Sequence, residues 1–203
     1  MSTERTNATA LAPALWPTAS PALRAVILVA LGIGLLTLSA KVQVPFWPVP
    51  MTLTTFAVMA IAAAYGSRLA VATVIAYILT GMAGVPVFAG AGAGPAYLVG
   101  TTAGFIWGYI PCAFLIGLAA DRGLDRSPLT LGLAMLIGDA IIFILGFAWL
   151  AFFAQLASGG TGIGVAAAWK NGVEPFLLGD ALKIALAACL IPAGWALLRR
   201  RDR

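Results

Sequence analysis

Histidine is absent from the 203 residues, which removes the commonest metal ligand and the side chain that most readily moves protons near neutral pH. Charge is nearly as scarce. Asp, Glu, Lys and Arg together make up 9% of the chain, against roughly 25% in an average soluble domain. So few ionic groups cannot coat a water-facing surface of this size. Cysteine occurs twice, at Cys112 and Cys189, both inside apolar stretches. That is neither a zinc spacing nor a disulfide framework, and both read as small buried hydrophobes. No nucleophile stands beside a base and no metal cluster is visible, so an enzyme, a metal site or a cofactor site is not expected.

What fills the chain instead is apolar: 62% hydrophobic residues and a mean hydropathy of +1.01. This predicts an integral membrane protein in which a bundle of spans uses up the length as one domain, 21–203. Residues 1–20 are rich in Ala, Thr, Ser and Pro, carry only Glu4 and Arg5, and read as a disordered cytoplasmic tail. The apolar run from Ala22 to Ala40 exceeds a signal-peptide core of about 7–15 residues, so it reads as span 1. Residues 41–50 hold three prolines within six positions and exclude a regular helix. Span 2 follows over Met51 to Tyr65, short for a crossing, and span 3 over Leu69 to Met82. A glycine-rich loop at 84–95 leads to span 4, Ala96 to Ala120, and then span 5, Leu129 to Phe153. A second loose stretch around 158–164 precedes span 6, Phe176 to Leu198. The prediction is an all-α six-helix membrane bundle with irregular outer loops.

The basic residues orient it. With both termini cytoplasmic, nine lysines and arginines lie inside (Arg5, Arg24, Arg68, Arg122, Arg126 and four at the C-terminus), while Lys41 and Lys170 lie outside. That is the bias of a positive-inside topology, not of a nucleic-acid surface, so no nucleic-acid partner is expected. Every long, glycine- or proline-rich connection then falls on the outer side.

Within the spans, Asp180 and Lys183 are three residues apart, about 60° of helical rotation, so both project from one face of span 6 in its outer third. An acid and a base there are costly unless they face each other, water or a polar ligand. One reading is a structural ion pair, or a lysine that snorkels to the interface. The other is recognition of a ligand that carries both a carbonyl and N–H donors. Asp139 in span 5 is the remaining intramembrane acid, read either as protonated and hydrogen-bonded or as a proton-coupling group. Phe46, Trp47, Phe88, Tyr97 and Trp107 flank the outer segments. Trp47 and Phe88 are the better candidates for packing on an apolar ligand ring. Gly100, Gly104 and Gly108 recur every four residues and read as internal helix packing. Ala22, Ala30 and Gly34 form a small-residue face that meets another membrane protein or packs inside the bundle; whether the chain also forms a homo-oligomer is left open.

Three stretches carry a resemblance. Pro48-Val-Pro-Met-Thr-Leu-Thr-Thr-Phe-Ala-Val58 is similar to a PVPxTLQT segment. Gly84-Val-Pro-Val-Phe-Ala-Gly90 with Tyr97-Leu-Val-Gly-Thr-Thr-Ala-Gly-Phe105 is similar to GLPVFAGG…YLxGPTGGY. Pro175-Phe-Leu-Leu-Gly-Asp-Ala-Leu-Lys183 is similar to PFxxGDxxK. Together they resemble the BioY family, the biotin-binding S components of energy-coupling-factor (ECF) transporters. Thr54 stands where the family often has Gln, and Thr101-Thr-Ala103 replaces Pro-Thr-Gly. The resemblance implies a bacterial cytoplasmic-membrane protein that captures biotin from outside. It also implies docking on a transmembrane coupling subunit that carries two cytoplasmic ATPase subunits. On this reading Asp180 accepts from the ureido N–H groups and Lys183 donates to the ureido oxygen or orients Asp180. Trp47, Phe88 and Tyr97 pack around the ligand, and Thr52 and Gly90 line the pocket. The competing reading is a solitary, proton-coupled vitamin transporter that uses Asp139.

Overall fold

The computed structural model describes residues 20–201; the tail assigned to 1–20 lies, except for Ser20, outside the described residues. Helix α1, Pro21–Lys41, starts where sequence chemistry places a start: the Ser20 hydroxyl accepts from the Leu23 N–H and proline occupies the first helical turn. Two short antiparallel strands follow, β1 (Gln43–Val44) and β2 (Met51–Thr52). The proline-rich stretch that excludes a helix is thus a hairpin. Span 2 starts later than Met51, at Thr54, because the Thr52 hydroxyl accepts from the Thr54 N–H and turns the chain into helix α2, Thr54–Tyr65.

Gly66 alone, at φ 79°, reverses the chain into α3, Ser67–Met82. At about 1.5 Å per residue, α2 (12 residues) and α3 (16 residues) fall short of a hydrocarbon core about 30 Å thick. Span 4 also starts later than expected. Pro95–Val99 is a short 3₁₀ turn and helix α4 runs Ala103–Asp121. The Thr101 hydroxyl donates to the Pro48 carbonyl (2.9 Å), tying the intervening segment to the hairpin rather than to a helix. A 3₁₀ turn at Leu124–Arg126 leads to α5, Pro128–Phe152. The loose stretch at 158–164, with four glycines at positive φ, feeds a short helix, α6 (Val165–Gly172), that composition did not reveal. Helix α7, Leu177–Arg201, completes a bundle of six long helices. Among the described residues, four helical segments are long and apolar enough to cross a membrane, and the six-helix all-α architecture holds.

The core is set by glycines that admit neighbouring backbones. A Cβ on Gly104 would lie 2.7 Å from the Leu145 carbonyl oxygen, and one on Gly108 2.9 Å from the Ile142 Cα, so α4 and α5 meet almost backbone to backbone. Gly100 lies outside α4; its carbonyl accepts from the Trp149 indole N–H (2.9 Å), so the internal-packing reading belongs to Gly104 and Gly108. Ala22, Ala30 and Gly34 all point outward, with nothing near the Gly34 position. Cys112 is buried as expected; Cys189 is exposed. On a bundle with an apolar exterior, an outward-facing thiol keeps apolar surroundings in lipid, and sequence alone does not separate the two situations.

Candidate functional site

The irregular segments converge on one end of the bundle. Helix α1 delivers Lys41 there, and its ammonium donates to three carbonyls of the loop after α3: Pro86 (2.6 Å), Phe88 (2.8 Å) and Gly90 (2.6 Å). Three donors meet three acceptors, so this one side chain fixes the loop that carries Phe88. Phe88 is pressed inward, filling the space a Cβ on Gly81 would take, and stacks on Tyr97 with ring centroids 4.9 Å apart. The Tyr77 hydroxyl donates to the Val87 carbonyl from beneath (3.1 Å).

Under this rim lies a narrow cavity of about 40 Å³. Hairpin, α2, α3, loop and α4 all contribute walls, with Thr52, Thr54, Phe88, Tyr97 and Tyr109 among them. A wider apolar groove of about 290 Å³ runs on the other side of β2, lined by Val44, Met51, Thr52, Phe176 and Lys183. Thr52 borders both. The segment Met51–Leu53 is therefore the partition between a narrow cavity with mixed polar and apolar walls and an open apolar groove.

Asp180 and Lys183 hold that partition in place. Near the start of α7 the Lys183 ammonium donates to Asp180 Oδ1 (2.5 Å), to the Thr55 hydroxyl (3.1 Å) and to the Thr52 carbonyl (2.8 Å). The Thr55 hydroxyl in turn donates to Asp180 Oδ1 (3.1 Å). Side-chain exposure is 4% for Asp180 and 18% for Lys183, so the acid is sealed while the base reaches the groove. A network this well satisfied and this little hydrated is strong electrostatically and costly to break.

Of the residues singled out from sequence, Asp180, Lys183 and Thr52 form one hydrogen-bonded cluster, and Phe88 and Tyr97 face the cavity beside it. Gly90 lies next to lining residue Ala89, and its contribution is a carbonyl to Lys41 rather than a surface to the cavity. Trp47 is not brought in: it sits at the hairpin tip, 77% exposed, outside both spaces. A tryptophan there has the chemistry of an interfacial anchor. Sequence reasoning passed over Lys41, counted only as an outer charge, and Thr55, a hydroxyl in an apolar run. A lone lysine directly before a proline-rich turn was the available signal for the first; nothing marked the second.

The BioY family model matches residues 6–200. A probable biotin transporter BioY of Pyrococcus horikoshii is 34% identical over 81% of this chain and 92% of its own length. The biotin transporter BioY of Rhizobium etli is 32% identical over 89% of this chain and 95% of its own. Among solved structures, the S component for biotin from an ECF-type ABC transporter aligns with a TM-score of 0.72 at 20% identity. That alignment covers 89% of this chain and 92% of that one. The shared fold, the matched length and the relatives above 30% identity agree: this chain belongs to the BioY family.

Proposed function

We propose that the protein captures biotin from outside the cell for uptake, as the substrate-binding S component of an ECF transporter in a bacterial cytoplasmic membrane. The observation that carries this reading is the Asp180–Lys183–Thr55–Thr52 network. It puts a cationic donor, Lys183, in the lining of the apolar groove and an anionic acceptor, Asp180, directly behind it, hydrogen-bonded to the strip that separates groove from cavity. Biotin has the matching parts: a ureido group with two N–H donors and one carbonyl, and an apolar ring and chain. The cavity alone is far too small for a drug-sized ligand, for which pockets of roughly 300–1,000 Å³ are usual, and the groove, at about 290 Å³, stands at the lower end of that range. Displacing the Met51–Leu53 partition joins them. In the loaded form Asp180 accepts from the ureido N–H groups and Lys183 exchanges the Thr52 carbonyl for the ureido oxygen. Phe88 and Tyr97 close over the ring.

The relatives' names supply biotin, and the charge pattern supplies the orientation: the cavity end outward, both termini and most arginines inward. ATP-driven work then comes from a transmembrane coupling subunit with two cytoplasmic ATPases. The outward-facing small residues Ala22, Ala30 and Gly34 on α1 suit the close approach of that subunit's helices. Titration of the purified protein with biotin, desthiobiotin and unrelated vitamins tests the assignment. Tight binding of biotin and exclusion of the unrelated vitamins supports it, and equal or absent binding of all of them rejects it.

A further inference from the structure

The cavity under the Phe88–Tyr97 rim has three tyrosines in its lining, Tyr77, Tyr97 and Tyr109, and their hydroxyls are in different situations. Tyr77 is spent: its hydroxyl donates to the Val87 carbonyl (3.1 Å). Tyr97 belongs to the rim, stacked on Phe88 with Thr102 and the Ala89 backbone as polar neighbours. Tyr109 is 7% exposed, yet its hydroxyl makes no hydrogen bond to any described residue. A buried phenol usually finds a partner. Nor is this oxygen walled off: among the described residues, the sealed side-chain atoms without a partner belong to Asp125 and Asp139. The free hydroxyl therefore opens on the cavity that Tyr109 lines.

The fold gives Tyr109 this place. Gly104 and Gly108 set one face of α4 against α5, while Phe105, Ile106 and Tyr109 set the adjoining face against the cavity. Tyr109 lies about 9 Å along α4 from its start at Ala103, at about 1.5 Å per residue. It is the deepest residue that this helix lends to the lining. Its electrostatic neighbours include Asp180, which places the cavity floor beside the acid of the binding network. Three parts of biotin come into question as partners for a hydroxyl there. The ureido oxygen has two lone pairs, of which Lys183 takes one. The ring sulfur is a weak acceptor. The carboxylate would enter a cavity with no cation in its lining and with the Asp180 charge close by.

We propose that the Tyr109 hydroxyl is a ligand-binding group of the cavity floor and donates to the ureido oxygen of biotin, on the lone pair that Lys183 leaves open. The inference rests on the biotin reading above and adds a residue to that site. Tyr109→Phe removes the oxygen and keeps the ring. Calorimetric titration of the purified wild-type and variant chains uses biotin, desthiobiotin, which lacks the ring sulfur, and biotinamide, which lacks the carboxylate. The variant should bind each of the three about tenfold more weakly than wild type does, the scale of one hydrogen bond, because all three keep the ureido oxygen. Its Tm without ligand should be no lower than that of wild type, since the lost hydroxyl leaves no protein partner unpaired. A structural tyrosine would instead lower Tm. Unchanged affinity for biotin overturns the proposal, and so does a loss of affinity accompanied by a lowered Tm. A loss that disappears with desthiobiotin moves the contact to the sulfur, and one that disappears with biotinamide moves it to the carboxylate; either overturns the ureido assignment. A wild-type chain that binds no biotin is a separate outcome, which rejects the uptake reading itself and this inference with it.

Discussion

Lys183 has three donors and spends all of them on Asp180, Thr55 and the Thr52 carbonyl. Such a residue answers two descriptions, a strut or a ligand donor, and one substitution does not separate them. Lys183→Ala leaves the Asp180 carboxylate buried without its cation, which is destabilising under either description. Replacing both, as Asp180→Asn with Lys183→Met, removes the charges together and keeps most of the volume. The double variant should retain a Tm close to wild type in detergent. It should nonetheless lose biotin affinity by about 100-fold or more, the scale of a few hydrogen bonds to charged groups; calorimetric titration reads it directly. Unchanged affinity in that variant would reduce the pair to a strut. Lys41 is a different case, since it touches no ligand surface and acts through the loop carrying Phe88. Lys41→Met should speed biotin dissociation several-fold while the association rate stays within twofold, a split that stopped-flow fluorescence resolves.

Elements in this bundle are separated by what glycine allows. Gly108 admits the Ile142 backbone, so Gly108→Ala should cost about 1–3 kcal/mol through overpacking, seen as a lowered Tm of the purified protein. Gly34 has nothing within 4 Å. Gly34→Leu should therefore leave Tm and biotin binding as they are and impair only co-purification with the coupling subunit. The far end of the bundle is tied by a different device. Asp125, in the turn between α4 and α5, is buried and accepts from the Trp195 indole N–H of α7, while Arg126 stacks over the same ring at 4.9 Å. Burial raises the Asp125 carboxyl above its ordinary range, and the Trp195 bond and Arg126 offset this only in part. A folded state that holds its proton more tightly than the unfolded chain is favoured at low pH. That contribution is complete below the unfolded value near 3.9 and is lost as pH rises through the folded one. Asp125→Asn keeps an acceptor for Trp195 and removes the charge. Its Tm should match wild type near pH 4 and exceed it at pH 7.5. The boundaries of these elements were the part least visible in the chain. The long apolar helices and the proline-blocked turn follow from composition alone. The start of α2 rests on a Thr52–Thr54 hydrogen bond, the late start of α4 on a tether from Thr101 to Pro48, and α6 on packing of Gly172 under Leu150. None of these has a local signal.

At the scale of the whole molecule, polar residues reveal more of the site than aromatics do. A charge pair in an apolar helix has few stable placements, so Asp180 and Lys183 pointed to their own neighbourhood. An aromatic ring is stable in a core, in a pocket wall or at an interface, so Phe88 and Tyr97 fell inward while Trp47 turned out to the rim. Asp139 is the intramembrane acid that stands outside the proposed binding network. It is 7% exposed, one of its carboxyl oxygens has no hydrogen-bond partner, and it adjoins Gly138, against which Cys112 and Ile116 of α4 pack. An unsatisfied acid at that depth is the one feature favouring a self-sufficient, proton-linked carrier over a subunit driven by ATPases. The two schemes differ in what uptake requires. As an S component, the protein should accumulate labelled biotin in cells only when the coupling subunit and ATPases are present. A protonophore should then matter only through ATP supply, and Asp139→Asn should leave the rate within about twofold. Uptake that persists in a host without those subunits, and that collapses with protonophore or with Asp139→Asn while biotin affinity is retained, would move the driving force to Asp139. The proposed binding network lies on α2, α7 and the hairpin while Asp139 lies on α5, so biotin affinity measured beside uptake separates an effect of Asp139→Asn on drive from one on capture.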